Sequence, residues 1–408
     1  MTSRERIRAV LNREIPDRVP IDLGSNRMTG IQCWAYKSLR KALGLPDCKP
    51  RVFDLMQMLA EVDMDVIDAI RADVLPLYID GMMPFELAPQ AWKPLTLFDG
   101  TEVLVPGDLR IYEDESGDWL IRDGQKPDGK IRGRMPKGGS YFDYEGDNNV
   151  PDEIAYPDLD TWTAAWQTPV LSDAVLDSVE KRAKRLYETT DKAIFLNYFR
   201  GGMIAAFNVP TWLVSLIDNP TWTHEFHRRQ AEWHSKNLAK LLDRVAPYVD
   251  LVGISGNDWG TQKGEMFSPA VFAELFAPYI RKINDVAHAY RKPTWFHCCG
   301  SIRRLLPEFV KMGVDCLNPV QTTAANMDAQ ELKNVFGRHF VFWGGGINTQ
   351  QTLPFGTVED VKRETAERIR IFGAGGGFVF NPVHNIQKDC TGQNLVAMYR
   401  TVLEAGEY

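Results

Sequence analysis

A chain of 408 residues with 44% hydrophobic and 25% charged residues has the make-up of a globular protein, long enough for one large barrel or two ordinary domains. Its 47 Lys and Arg against 54 Asp and Glu leave a net charge of −7, which excludes a basic footprint for nucleic acid or an anionic membrane. No stretch approaches the roughly 20 apolar residues of a spanning helix and the N-terminus carries no apolar signal core, while the six cysteines at 33, 48, 298, 299, 316 and 390 are too scattered for a disulfide framework, so a cytoplasmic protein with reduced thiols is expected.

Thr2 or Ser3 can cap a first helix over Arg4–Asn12, whose Ile7, Val10 and Leu11 share one face. Pro16 to Gly24 reads as a turn feeding a short strand. The spacing of apolar residues predicts helices over Tyr36–Leu43 and Val52–Ile70, followed by a strand at Asp73–Leu77. The region from about 85 to 156 differs, being rich in Gly, Pro, Asp and aromatic residues. Asp99-Gly100 lies there between two β-like runs, a hairpin signal that points to an antiparallel insertion covering the pocket mouth or decorating an edge.

From Ser172 the pattern is regular. Predicted strands at Ala193–Phe199, Val249–Ser255, Pro293–Phe296, Val314–Leu317, Phe340–Trp343 and Phe378–Phe380 alternate with predicted helices. The helices fall at Asp173–Glu188, Pro220–Val245, Ser268–Tyr290, Ile302–Lys311, Asp328–Val335 and Val358–Phe372, with a last one at the end. Short, continuously apolar strands each followed by a helix are the pattern of a parallel sheet buried on both faces. With the strands near 19–23 and 74–77, the count fits a single (β/α)8 TIM barrel over residues 1–408, and a doubly wound open sheet is the runner-up. No dinucleotide-binding glycine motif or phosphate loop is present, which argues against nucleotide chemistry.

In such a barrel the chemistry sits just past each strand. Phe296-His297-Cys298-Cys299-Gly300 ends a strand in two soft donors, and imidazole and thiolate both suit Zn2+. His384, a few residues past the last strand, is the best third ligand, with Cys390 as a reserve. Cys298 points away from Cys299 if the strand alternation persists. Polar groups gather at the other strand ends. Asp258 is expected to handle protons and Arg200 to orient a polar substrate group. Tyr198, Gln262, Asn318, Gln321, Trp343 and Asn348 are expected to bind a small polar or aromatic substrate.

These motifs resemble the uroporphyrinogen decarboxylase superfamily, and more closely its branch related to corrinoid-dependent methyltransferases and O-demethylase components. The resemblance runs through Asp17-Arg18-Val19-Pro20, Gly260-Thr261-Gln262, His297-Cys298-Cys299-Gly300 and Asn318-Pro319-Val320-Gln321. It continues through Trp343-Gly344-Gly345-Gly346, His384-Asn385-Ile386-Gln387 and Asn394 to Met398. It implies one barrel with the site at the C-terminal mouth, and a zinc held by the His-x-Cys pair and a later Cys. That later Cys falls on or near His384, a departure from the pattern. It implies further a methyl donor such as a methoxylated aromatic or an amine, and a corrinoid carried by a separate partner protein, since no Asp-x-His-x-x-Gly signature lies in the chain. Homodimerisation is compatible with this reading, and neither nucleic acid nor membrane enters it. The alternative on the same barrel is a decarboxylase or lyase acting on a small aromatic or carboxylic acid without corrinoid.

Overall fold

The computed structural model describes residues 1–79, 91–145, 153–166, 171–199 and 209–408. Its centre is a seven-stranded sheet of β1 (Val74–Leu77), β2 (Ala193–Asn197), β3 (Leu251–Gly256), β4 (Thr294–His297), β5 (Cys316–Asn318), β6 (Val341–Trp343) and β7 (Phe378–Val379), in sequence order. Every pairing between them is parallel. The edges are joined by residues 20–22. Phe380 N–H donates to Pro20 O at 2.8 Å, Asp22 N–H to Phe380 O at 2.9 Å, and Asp73 N–H to Ile21 O at 2.8 Å. That segment supplies the eighth position and closes a TIM barrel, which leaves no unpaired sheet edge.

Burial on both faces explains the apolar strands. Outward side chains pack under the helices in one large cluster. Inward side chains (Val74, Phe195, Leu251, Trp295, Cys316, Val341, Trp343 and Val379) form a second cluster inside the barrel, plugged by Ile7 and Val10 of the helix Ser3–Leu11. Phe195 meets Trp295 edge to face at 5.3 Å, a geometry worth about 1 kcal/mol beyond the area buried. The closing segment is tied below by Asp73, fully buried, which accepts from Arg6 (2.7 Å), Arg18 (2.9 Å) and the Ile21 amide (2.8 Å).

One expected helix is absent. Val52–Ile70 splits into strands Val52–Asp54 and Leu59–Ala60 and the short helix Met64–Ala69. The apolar spacing is helical, but tertiary pairing prevails: Leu59 bridges Gln32, Arg51 bridges Leu104, and Met58 takes φ 54°, which no helix tolerates. The Ser268–Tyr290 stretch is likewise two helices, Pro269–Leu275 and Ala277–Ala289, broken where Pro278 starts the second.

Among the described residues between β1 and β2, antiparallel strands come before the α-helices resume. A hairpin pairs Trp92–Thr96 with Glu102–Pro106, and a four-stranded meander follows over Tyr112–Glu113, Trp119–Arg122, Ile131–Met135 and Asp143–Tyr144. Both are anchored to the 50–60 stretch, through Leu104 N–H to Pro50 O and Phe142 N–H to Met56 O, each 2.8 Å. Through Ile31, bridged to Ile386, that stretch reaches the loop after β7. Among the described residues no helix is long and apolar enough to cross a membrane.

Candidate metal centre

Side chains along a strand repeat every second residue. Two positions beyond Phe195, Trp295, Cys316 and Val379 stand Asn197, His297, Asn318 and Asn381, so the apolar lumen gives way to a polar tier at the strands' C-terminal ends. His297 is the last residue of β4 and 3% exposed. Cys299 follows at a sharp turn. Gly300 has φ +90°, and a Cβ there would fall 2.4 Å from the Gly260 carbonyl carbon, so only glycine lets the two loops touch. Asp258 Oδ1 accepts from the Cys299 amide at 2.8 Å, Ser301 N–H donates to Thr261 O at 2.8 Å, and Gly300 N–H to Gln321 Oε1 at 2.7 Å. Cys298 turns the other way and is buried, its sulfur accepting from the Trp259 amide at 3.3 Å.

His384 comes from the loop after β7, and its ring centroid lies 5.7 Å from that of His297. One donor atom each from His297, Cys299 and His384 can be chosen so that all lie within 4.8 Å of one another. His297 Nε2 is 3.3 Å from Cys299 Sγ and 3.5 Å from Asp258 Oδ1. Burial depresses the His297 imidazolium to about 4 and lowers His384 as well, so both rings are neutral near pH 7. Burial, with the neighbouring Asp258 carboxylate, pushes the Cys299 thiol far up, so without a cation it keeps its proton. Two neutral imidazoles and a thiol that loses its proton to a cation form a donor set that fits Zn2+.

The remaining expected residues are placed differently. Asp258 stands beside the cluster with its side chain 57% exposed. Gln262 is exposed on the adjoining loop, and Gln321 braces Gly300. Four expected substrate ligands are committed elsewhere. Tyr198 OH donates to His234 O at 2.8 Å, outside the barrel. Asn318 uses both amide ends, accepting from His297 Nδ1 and donating to Trp343 O. Trp343 is buried and donates Nε1–H to Asp22 at 2.8 Å. Asn348 accepts from the Gln350 and Gln351 amides and so shapes its own turn. These hydrogen bonds engage polar atoms of all four groups within the protein. Arg200 lies outside the described residues. Cys390 is buried, pushed up to about 12 by that burial, and is not one of the three converging donors.

Asp22 was not singled out in advance. It is fully buried in the polar tier, accepting from the Ser25 hydroxyl at 2.7 Å, the Ser25 amide at 3.1 Å and Trp343. Burial holds its carboxyl up to about 6. The available signal was a carboxylate inside the apolar run Val19 to Leu23.

The comparisons with known proteins agree with this architecture. The uroporphyrinogen decarboxylase (URO-D) family matches residues 173–405. The chain belongs to the URO-D family. A comparison with curated proteins gives no significant match. Among solved structures, a methyltransferase from Methanosarcina mazei is 15% identical, with 99% of each chain covered and a TM-score of 0.57. At that identity the likeness shows the shared fold. A beta-glucosidase from Pyrococcus furiosus covers 95% of this chain and 93% of its own at 11% identity, but its TM-score of 0.40 is too low to bear on the URO-D site.

Proposed function

We propose that this URO-D family member is a zinc-dependent methyltransferase that moves a methyl group from a small methylated substrate, a methoxylated aromatic or an amine, to a corrinoid carried by a separate protein. The observation behind the reading is the convergence of His297, Cys299 and His384 at the barrel mouth. The fold shared with the Methanosarcina mazei methyltransferase, over 99% of each chain, is compatible with it.

His297, Cys299 and His384 would hold the ion. When bound, Zn2+ supplies Lewis acidity to the heteroatom that loses its methyl group. The chain's own residues do the rest. In the proposed transfer the carbon–heteroatom electron pair would stay on oxygen or nitrogen, and the corrinoid of the partner protein would supply the acceptor of the methyl group. Asp258, at the mouth beside Cys299, is placed to relay a proton from solvent to the leaving phenolate or amine. The Asp258 contact to the Cys299 amide also keeps the thiol-bearing turn in place.

Elemental analysis tests the first half: about one zinc per chain is expected in the wild type and none in a folded His297→Ala, Cys299→Ala double variant. A screen of methyl ethers and methylamines with and without a corrinoid protein tests the second. Turnover by metal-free protein without corrinoid overturns the reading and favours a decarboxylase or lyase.

A further inference from the structure

Both ligand histidines meet a side-chain amide through Nδ1, and in each case a separate contact settles which way the amide faces. His297 Nδ1 lies 2.6 Å from Asn318 Oδ1, while Asn318 Nδ2 donates to the Trp343 carbonyl at 2.7 Å. His384 Nδ1 lies 2.9 Å from Asn385 Oδ1, while Asn385 Nδ2 donates to Gln57 Oε1 at 2.5 Å and faces Arg27 O at 3.4 Å. A backbone carbonyl takes only a donor, so Trp343 O and Arg27 O place the –NH2 of each Asn away from its histidine. The amide oxygen therefore faces the ring, and each Nδ1 carries the hydrogen. Each Nε2 is left with a lone pair that can bind a metal ion, and that of His297 lies 3.3 Å from Cys299 Sγ.

Asn385 is 1% exposed and joins three segments distant in sequence. Its loop bonds the N-terminal turn through Ile386 N–H to Gly30 O at 2.9 Å. Gln387 Nε2 also donates to Asn385 Oδ1. Gln57 sits in the turn between strands Val52–Asp54 and Leu59–Ala60, held by its amide N–H to Asp54 Oδ1 at 3.0 Å and by Gln32 Nε2 to Gln57 O at 3.0 Å. The preceding residue, Met56, accepts from Phe142 of the inserted meander.

We propose that Asn385, braced by Gln57, is a positioning residue that fixes the tautomer and direction of His384, as Asn318 does for His297. The purpose of the turn at 54–58 is then to hold a metal ligand it never touches. Neutral amides in this role differ from the carboxylates common around ligating histidines. They hold the ring without making it more basic, which leaves a bound cation more electrophilic.

The inference rests on the metal-site reading, but one readout needs no metal. Nitrogen NMR of histidine-labelled, metal-free wild type is expected to show both His297 and His384 protonated on Nδ1, the minor tautomer of free neutral histidine. Assignment comes from His297→Gln and His384→Gln. Asn385→Leu is expected to move His384 alone toward the Nε2–H form and to weaken zinc binding, by chelator competition, about 10- to 100-fold. It should also change the visible spectrum of the Co2+-substituted protein. Gln57→Glu keeps an acceptor facing Asn385 Nδ2 and is expected to retain the wild-type tautomer, whereas Gln57→Leu is not. An Nε2–H tautomer at His384 in the wild type overturns the proposal, and so does wild-type zinc affinity in Asn385→Leu. If Asn385→Leu does not fold, Gln57→Leu and the wild-type spectrum decide. A wild type with the expected tautomers and no zinc affinity refutes the metal reading instead.

Discussion

Replacing Asp22 by Asn should change how stability depends on pH, by an amount the structure supplies. The carboxyl is fully buried at the top of the lumen, and burial raises it to about 6 although Ser25 and Trp343 donate to it. Against an unfolded value of about 3.9 the shift is about 2 units, or about 3 kcal/mol. The folded state binds this proton more tightly than the unfolded chain. The contribution to stability is therefore fully present below about pH 4 and lost as pH rises through about 6. Asn cannot ionise and lacks this term. Its amide nitrogen opposes one donor of the present network, a cost that does not vary with pH and cancels in the comparison. Urea unfolding of wild type and Asp22→Asn across about pH 4 to 7.5 should show the variant gaining about 3 kcal/mol relative to wild type over that range. Titrations of the buried histidines are common to both proteins and cancel. Parallel profiles, differing by a constant, would refute the reasoning.

Zinc binding to metal-free protein near pH 7 should release about one proton, because the Cys299 thiol is kept protonated by burial while His297, depressed to about 4, is already neutral. Calorimetry in two buffers of different ionisation enthalpy measures this, and a release near zero removes Cys299 from the ligand set. Gly300→Ala places a methyl 2.4 Å from the Gly260 backbone at φ +90°, so it should separate the Asp258 and Cys299 loops. Zinc affinity should fall at least tenfold, by the scale of lost supporting contacts, and the loss is read by chelator competition. Asp73→Ala leaves Arg18, whose side chain is 7% exposed, without its carboxylate below the barrel, while Arg6 keeps Asp17. A loss of about 3–5 kcal/mol is expected from chemical denaturation, and a change below about 1 kcal/mol would mean the closing segment does not depend on that pair.

Much of this protein was legible in its sequence for local reasons. Runs such as 193–196 and Val341–Trp343 are apolar throughout because both faces of a barrel strand are buried, and a helix follows each, so the fold class can be read without knowing any contact. The donor pair was legible for the same reason, since His297 and Cys299 lie just past a recognisable strand end. What required the tertiary structure was every assignment that depends on a distant partner. Trp343 reads as a mouth residue until Asp22, 321 positions away, takes its indole N–H. Asn318 reads as a substrate ligand until His297 and Trp343 claim both ends of its amide. The 52–70 stretch has helical spacing, yet pairing with Gln32 and Leu104 makes its first half extended. His384 lies 87 positions beyond His297, yet the fold brings the two ring centroids to 5.7 Å. Periodicity records which face of an element is buried; which group lies opposite is decided by the closure of the chain in space.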